Sequence, residues 1–200
     1  MELSELLSRR HSERRISRTS IKRAPLEFVL WAAQGAVEGG ARRTCPSAGG
    51  RYPLELRVFA FRIAGLPRGI YEYSPLERKL IVPESSGQER RTIPGRAALV
   101  RVLLGDQDWA MNAAAIVLIS GIESRLEEQF KSQPPAGRWE RYLWIECGAA
   151  AQNAALAAEA SGIGMTMVGG FDDEAIATIA GIDARKNRPL CLLTLGNPLR

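Results

Sequence analysis

Apolar residues recur at helical spacing in residues 25–37, where Leu26, Val29, Leu30, Ala33 and Val37 share one face. Pro25 suits a first helical turn, and Gly39-Gly40 predicts the end. Residues 2–9 predict a shorter helix carrying Leu3, Leu6 and Leu7. The period then changes. In residues 54–62, Leu56, Val58 and Ala60 alternate with Arg57, Phe59 and Phe61, which predicts a strand. Residues 69–73 and 79–82 predict a hairpin around Ser74-Pro75-Leu76-Glu77. Residues 95–105 are expected to be helical, 114–120 to be a buried strand, and 124–131 to be a polar helix.

Residues 138–161 give the clearest element. They hold no proline and are dense in alanine, so helix propensity is high and close backbone approach is possible. Such a helix is expected deep in the protein or along a subunit interface. Gly162 and Gly164 stop it. A turn with the sequence MVGGFDD leads to a helix at 174–180, with Asp172-Asp173 as its capping residues. Residues 189–195 predict a last buried strand, and 83–94 a surface loop. Strands and helices mix without regular βαβ alternation, which predicts an α+β fold.

The 200 residues are 46% hydrophobic and 24% charged, enough apolar side chain to offset chain entropy, so a single domain over 1–200 is expected. The longest apolar run, 113–119, falls far short of the ~20 residues of a membrane span. The N-terminal MELSELLSRR lacks the apolar stretch of a signal peptide. Cys45, Cys147 and Cys191 form no CxxC pair and are expected to be reduced, buried thiols of a cytoplasmic protein. One histidine, His11, removes multi-histidine metal sites, so no metal is expected.

The net charge of +5 is concentrated in residues 9–23, where seven basic residues face only Glu13. That cluster calls for an anion, either a nucleic-acid backbone or the phosphate of a small molecule. Glycine-rich dinucleotide, P-loop, HExxH and GxSxG motifs are absent. Little remains for side-chain catalysis, so a cofactor that carries the chemistry is expected.

Three segments remain. Arg10-His11-Ser12-Glu13-Arg14 offers guanidinium forks and a hydroxyl suited to phosphate. Pro46-Ser47-Ala48-Gly49-Gly50-Arg51-Tyr52-Pro53 offers small residues beside which a flat ligand could lie. Gly162-x-Gly164, followed by Met167-Val168-Gly169-Gly170-Phe171, offers exposed backbone N–H groups in a turn.

In this order and spacing, the three segments resemble the FMN-dependent nitroreductase superfamily over most of the chain. PSAGGRYPLE is most similar to the branch that contains the azoline (thiazoline or oxazoline) dehydrogenases. The resemblance implies a three-layer α+β sandwich, a central mixed or antiparallel sheet flanked by helices. It also implies a homodimer with FMN at the interface. By position, Arg10, His11 and Ser12 would contact the phosphate and ribityl region, and Arg14 the pyrimidine side. Pro46, Ser47 and Ala48 would come from the other subunit. Met167, Val168, Gly169 and Gly170 would lie against the isoalloxazine, and Arg200 could add a phosphate contact. Gly50, Leu54 and Gly169 depart from the family pattern of asparagine, tryptophan and glutamate.

The leading expectation is therefore an FMN oxidoreductase. It would pass hydride from NAD(P)H to a small-molecule acceptor through flavin N5 in a ping-pong cycle. An azoline dehydrogenase with Tyr52 as its base is the alternative within the superfamily. A basic nucleic-acid-binding module is the alternative of another class. The leading reading involves neither nucleic acid nor membrane.

Overall fold

A computed structural model describes residues 2–83, 93 and 95–199. The helices are α1 (Leu3–Arg9), α2 (Arg23–Gln34), α3 (Arg96–Val100), α4 (Glu123–Phe130), α5 (Arg138–Ala160) and α6 (Asp173–Ala180). The main sheet contains β3 (Leu54–Ala60), β4 (Gly69–Ser74), β5 (Lys79–Ile81), β6 (Ala115–Gly121), β7 (Gly164–Val168) and β8 (Arg188–Gly196). Its order is β5-β4-β3-β6-β8-β7, and every neighbouring pair is antiparallel. A separate two-stranded ladder joins β1 (Ala36–Val37) to β2 (Arg42–Arg43).

Alternation along the central strands builds a core on each face of the sheet. Leu56, Val58, Val117, Ile119 and Leu193 pack with Leu26, Leu30, Ala150 and Ala154 of α2 and α5. Phe59, Ile116, Leu118 and Leu192 pack with Leu99 and with Ile176 and Ala180 of α6. The result is the expected three-layer α+β arrangement. Arg57 is buried with both of its terminal nitrogens paired. It donates to the carbonyls of Ala180 (2.7 Å) and Gly181 (3.3 Å), and pairs with Glu72 at 3.2 Å. The guanidinium thus satisfies carbonyls left over at the end of α6.

Two predicted elements need correction. The helix expected over 25–37 stops at Gln34, where the backbone of Gly35 turns extended; only glycine fits there, since a Cβ would stand 2.1 Å from Trp31 Cδ1. Ala36 and Val37 enter the ladder with β2 instead of reaching Gly39-Gly40. The helix expected over 95–105 covers only α3. The chain beyond it is drawn to the 170–172 turn: Leu104 donates to Gly170 O at 2.9 Å, and Asp172 donates to Val102 O at 2.8 Å. These tertiary bonds replace continued helix.

Asp172 caps α6 as expected, its Oδ1 accepting the Ala175 N–H at 2.9 Å. The three cysteines are free and buried. Among the described residues, no helix is long and apolar enough to cross a membrane. Most of the loop expected over 83–94 lies outside the described residues, as does Arg200.

Candidate active site

After α1 the chain runs extended along the β7 edge, and its backbone fixes it there. Glu13 N–H donates to Met165 O at 3.1 Å, and Thr166 Oγ1 donates to Glu13 O at 2.8 Å. Farther on, Ser17 donates to Asn197 O and Leu199 to Arg15 O, each at 2.8 Å. Glycine makes this approach possible. A Cβ on Gly164 would lie 2.6 Å from Glu13 Cγ, and one on Gly196 would lie 2.1 Å from Ile16 Cγ2.

This stitching places Arg10, His11 and Ser12 across from Met167. Together with Gly148, Ala151, Gln152 and Ala155 of α5, and with Met165, they line a cleft of about 160 Å³. The α5 side is small apart from the Gln152 amide; the N-terminal segment opposite carries a guanidinium, an imidazole and a hydroxyl. A Cβ at either Gly148 or Gly169 would meet nothing within 4 Å, so both backbones are open to an approaching ligand. Met167 is 55% exposed on β7, the edge strand of the sheet.

His11 is held by its neighbours. Its Nδ1 lies 2.9 Å from Arg9 O, and its Nε2 lies 3.3 Å from Glu13 Oε2. The Arg9 carbonyl first, and then the Glu13 carboxylate, raise the imidazole pKa above its ordinary value. Glu13 also accepts the Arg15 N–H. Arg14 is displaced from that cleft, its guanidinium 5.8 Å from the Trp109 ring centroid. The basic segment does not act as one unit: Arg9 pairs with Glu159, Arg23 with Glu27, and Arg18 donates to Asn112.

Within one chain the second segment is elsewhere. Ser47 and Ala48 are held by Glu146, a buried carboxylate on α5 that accepts the Ala48 N–H at 2.8 Å and a hydrogen bond from Ser47. Ser47 Oγ in turn accepts the Tyr52 N–H at 2.8 Å. Tyr52 adopts φ +45°, a left-handed conformation uncommon for a side chain of its size, and the Arg43 guanidinium sits 4.7 Å from its ring centroid. Pro46 is exposed at the head of the same loop.

The third segment is split by the pleat. Met167 faces the cleft, whereas the side chain of Val168 is buried in the α6-side core. Val168 can therefore offer a ligand no side-chain surface. Gly169 is exposed, and Gly170 is held by Leu104. Sequence reasoning missed Gly148, Gln152 and Glu146. The available signals were a glycine inside a strong helix and a lone acid in an apolar stretch.

The sequence profile of the Nitroreductase family matches residues 7–197. The chain belongs to the nitroreductase family. A candidate nitroreductase of Methanocaldococcus jannaschii is 31% identical over 201 residues, spanning 100% of this chain and 92% of the relative. Two solved structures share the nitroreductase fold of this chain. One is the Escherichia coli microcin synthetase McbBCD complex with truncated pro-MccB17 bound. Its TM-score is 0.77 at 22% identity, covering 100% of this chain and 74% of that one. The other is a candidate nitroreductase from Desulfovibrio desulfuricans in complex with FMN. Its TM-score is 0.67 at 16% identity, covering 100% and 88%. Family membership makes the chain an oxidoreductase.

Proposed function

We propose that this nitroreductase is an FMN-dependent oxidoreductase that takes its electrons from NAD(P)H. The observation that carries the reading is the cleft between Arg10-His11-Ser12, the small face of α5 and Met167. A flavin mononucleotide is a flat apolar ring with a polar, phosphorylated tail. The donor set fits that shape. Gly148, Ala151 and Ala155 leave room for a ring, and Arg10, His11 and Ser12 supply donors for a phosphate. The Desulfovibrio relative of this fold was solved with FMN.

When bound, FMN would supply hydride chemistry, alternating between a nicotinamide donor and an acceptor. The chain's own task is to bind and orient. Arg10, His11 and Ser12 would hold the tail. The Met167 side chain and the backbones of Val168, Gly169 and Gly170 would back the ring. A positive His11 would add to phosphate affinity as pH falls.

The enclosure is incomplete in one chain. A ligand of this size needs roughly 300–1,000 Å³, and the cleft offers about 160 Å³. A second copy would complete it, bringing Pro46, Ser47 and Ala48 from its own loop. The apolar surface supports such a homodimer: Leu3, Leu7, Phe28, Trp144 and Ile145 are all exposed on α1, α2 and α5. Anaerobic mixing with NADH and NADPH tests the reading. Bleaching of the flavin, and parallel double-reciprocal lines against a quinone, are expected. A bound flavin that neither nicotinamide reduces would refute the NAD(P)H linkage.

Tyr52 favours a second reading, oxidation of an azoline ring in a modified peptide. Strained backbone often marks a functional position, and this phenol-bearing residue is held so by Ser47 and Arg43. Tyr52, as its phenolate, would take the ring proton, and a bound FMN would supply the acceptor for the hydride. Oxidation of a thiazoline peptide that is lost in Tyr52→Phe would favour this reading over the first.

A further inference from the structure

A separate cleft of about 560 Å³ opens beside the 3-10 turn Asp108–Asn112. It is lined by Arg18, Arg62, Arg68 and Arg96, with Gly95, Ala97 and Met111. None of the residues at the flavin cleft contributes to it. Its four guanidiniums come from three places: Arg18 from the N-terminal segment, Arg62 and Arg68 from the β3–β4 connection, and Arg96 from the start of α3.

They are arranged by neutral groups. Arg62 donates to Asn112 O, Arg18 Nε donates to Asn112 Oδ1 at 3.1 Å, and Arg96 Nη1 donates to Met111 O at 3.0 Å. The guanidiniums of Arg96 and Arg68 lie 5.4 Å and 6.0 Å from the ring centroid of Phe61, so one aromatic ring contacts two of them. Among the described residues no carboxylate pairs with any of the four, whereas Arg9, Arg23, Arg57, Arg125 and Arg188 each face an acid. Arg62 Nε is sealed from solvent and has no partner. Burial, and then the like charge of Arg18, push the Arg96 pKa down.

Four like charges gathered in a cleft repel one another unless an anion enters. Arginine forks match phosphate oxygens in pairs, and the remaining N–H groups here are free to make such pairs. We propose that this cleft is a second anion site that takes a diphosphate group, free or carried by a nucleotide. The volume lies within the range of a small-molecule site and exceeds what a single phosphate needs.

The test is calorimetric titration of the purified protein, with the flavin content of every variant measured alongside, against pyrophosphate and against ADP. The variants are Arg68→Gln, Arg96→Gln, Arg10→Gln and, as a surface control, Arg101→Gln. Pyrophosphate should bind. Its affinity should fall at least tenfold in Arg68→Gln and in Arg96→Gln, and stay within twofold in Arg10→Gln and Arg101→Gln. Tighter binding of ADP would assign the source to a nucleotide, and equal binding to the diphosphate alone. Four results would overturn the proposal: no binding, equal loss in Arg101→Gln, loss in Arg10→Gln alone, or a single-stranded oligonucleotide that binds and is not displaced by pyrophosphate. Circular dichroism of each variant shows that a loss is not unfolding, and Arg18→Gln replaces any variant that fails it.

Discussion

The buried carboxylate of Glu146 accepts the backbone N–H of Ala48 at 2.8 Å, tying the small-residue loop to the middle of α5. Two and six residues farther along the same helix, Gly148 and Gln152 line the candidate flavin cleft. One helix therefore positions both segments, a link the chain order hides.

Burial raises the Glu146 carboxyl above its usual range, while the Ala48 N–H and Ser47 pull it back. Removing the acceptor should leave the half-buried Ala48 N–H unsatisfied, so Glu146→Ala is expected to cost about 1 kcal/mol. Glu146→Gln keeps an acceptor and should cost less. The sign of the pH dependence follows. A raised folded-state pKa gives stability that is present below the unfolded carboxyl pKa and lost as pH rises through the folded one. Urea denaturation at a series of pH values should show that slope in the wild type and its loss in Glu146→Gln.

Gly148 separates folding from binding. It is exposed inside α5, and a Cβ there meets nothing within 4 Å. Gly148→Ala should stabilise the helix by up to about 1 kcal/mol. Gly148→Leu should fold equally well but fill the cleft and weaken FMN by at least about tenfold, or ~1.4 kcal/mol. Thermal melts and flavin titration of the two variants check this.

Gly164 should tolerate far less. A Cβ there would stand 2.6 Å from Glu13 Cγ and 2.9 Å from Glu13 Cβ, neither of them the free end of a side chain. Gly164→Ala must therefore push the N-terminal segment from β7. The expected cost is about 1–3 kcal/mol, with weaker flavin retention because Arg10-His11-Ser12 moves with Glu13. Denaturation midpoints and flavin content give the readout.

His11 is the one histidine, so its imidazole can be titrated by NMR without assignment. Its midpoint should lie above the ordinary ~6.5, because Arg9 O and Glu13 favour the charged form. Glu13→Gln should bring it down while the Arg9 contribution remains. The sign for stability is that of a raised group: the contribution is full below the unfolded pKa and lost as pH rises through the folded one.

Much of the fold was legible because it rests on periodicity. The strand at 54–60, the buried strand at 115–121 and α5 follow from alternation or helix propensity over long windows. The bounds of β7 are not legible, and Met167 and Val168, assigned to a turn by their sequence, belong to it. Its five residues, GMTMV, carry no clear period, and Met167 is an apolar side chain facing outward. The helix expected beyond Val100 fails because the partner of Leu104 lies 66 residues away, at Gly170. At the site, Arg10, His11, Ser12 and Met167 were legible as motif residues and do converge. Glu146 and Gln152 were not, since their roles depend on which face of α5 meets which loop. The arginine cleft was equally hidden: only Arg18 belongs to the basic cluster visible in the chain.

The central claim is that one cleft between residues 10–12, α5 and Met167 holds FMN. The most direct test is the visible absorption spectrum of the purified protein and of its Gly148→Leu variant, with the mass of the cofactor released on denaturation. A yellow wild type releasing FMN at about one per chain, and a folded but colourless Gly148→Leu, is the predicted result. A colourless wild type that takes up no added FMN, or a Gly148→Leu that retains it fully, would contradict the claim.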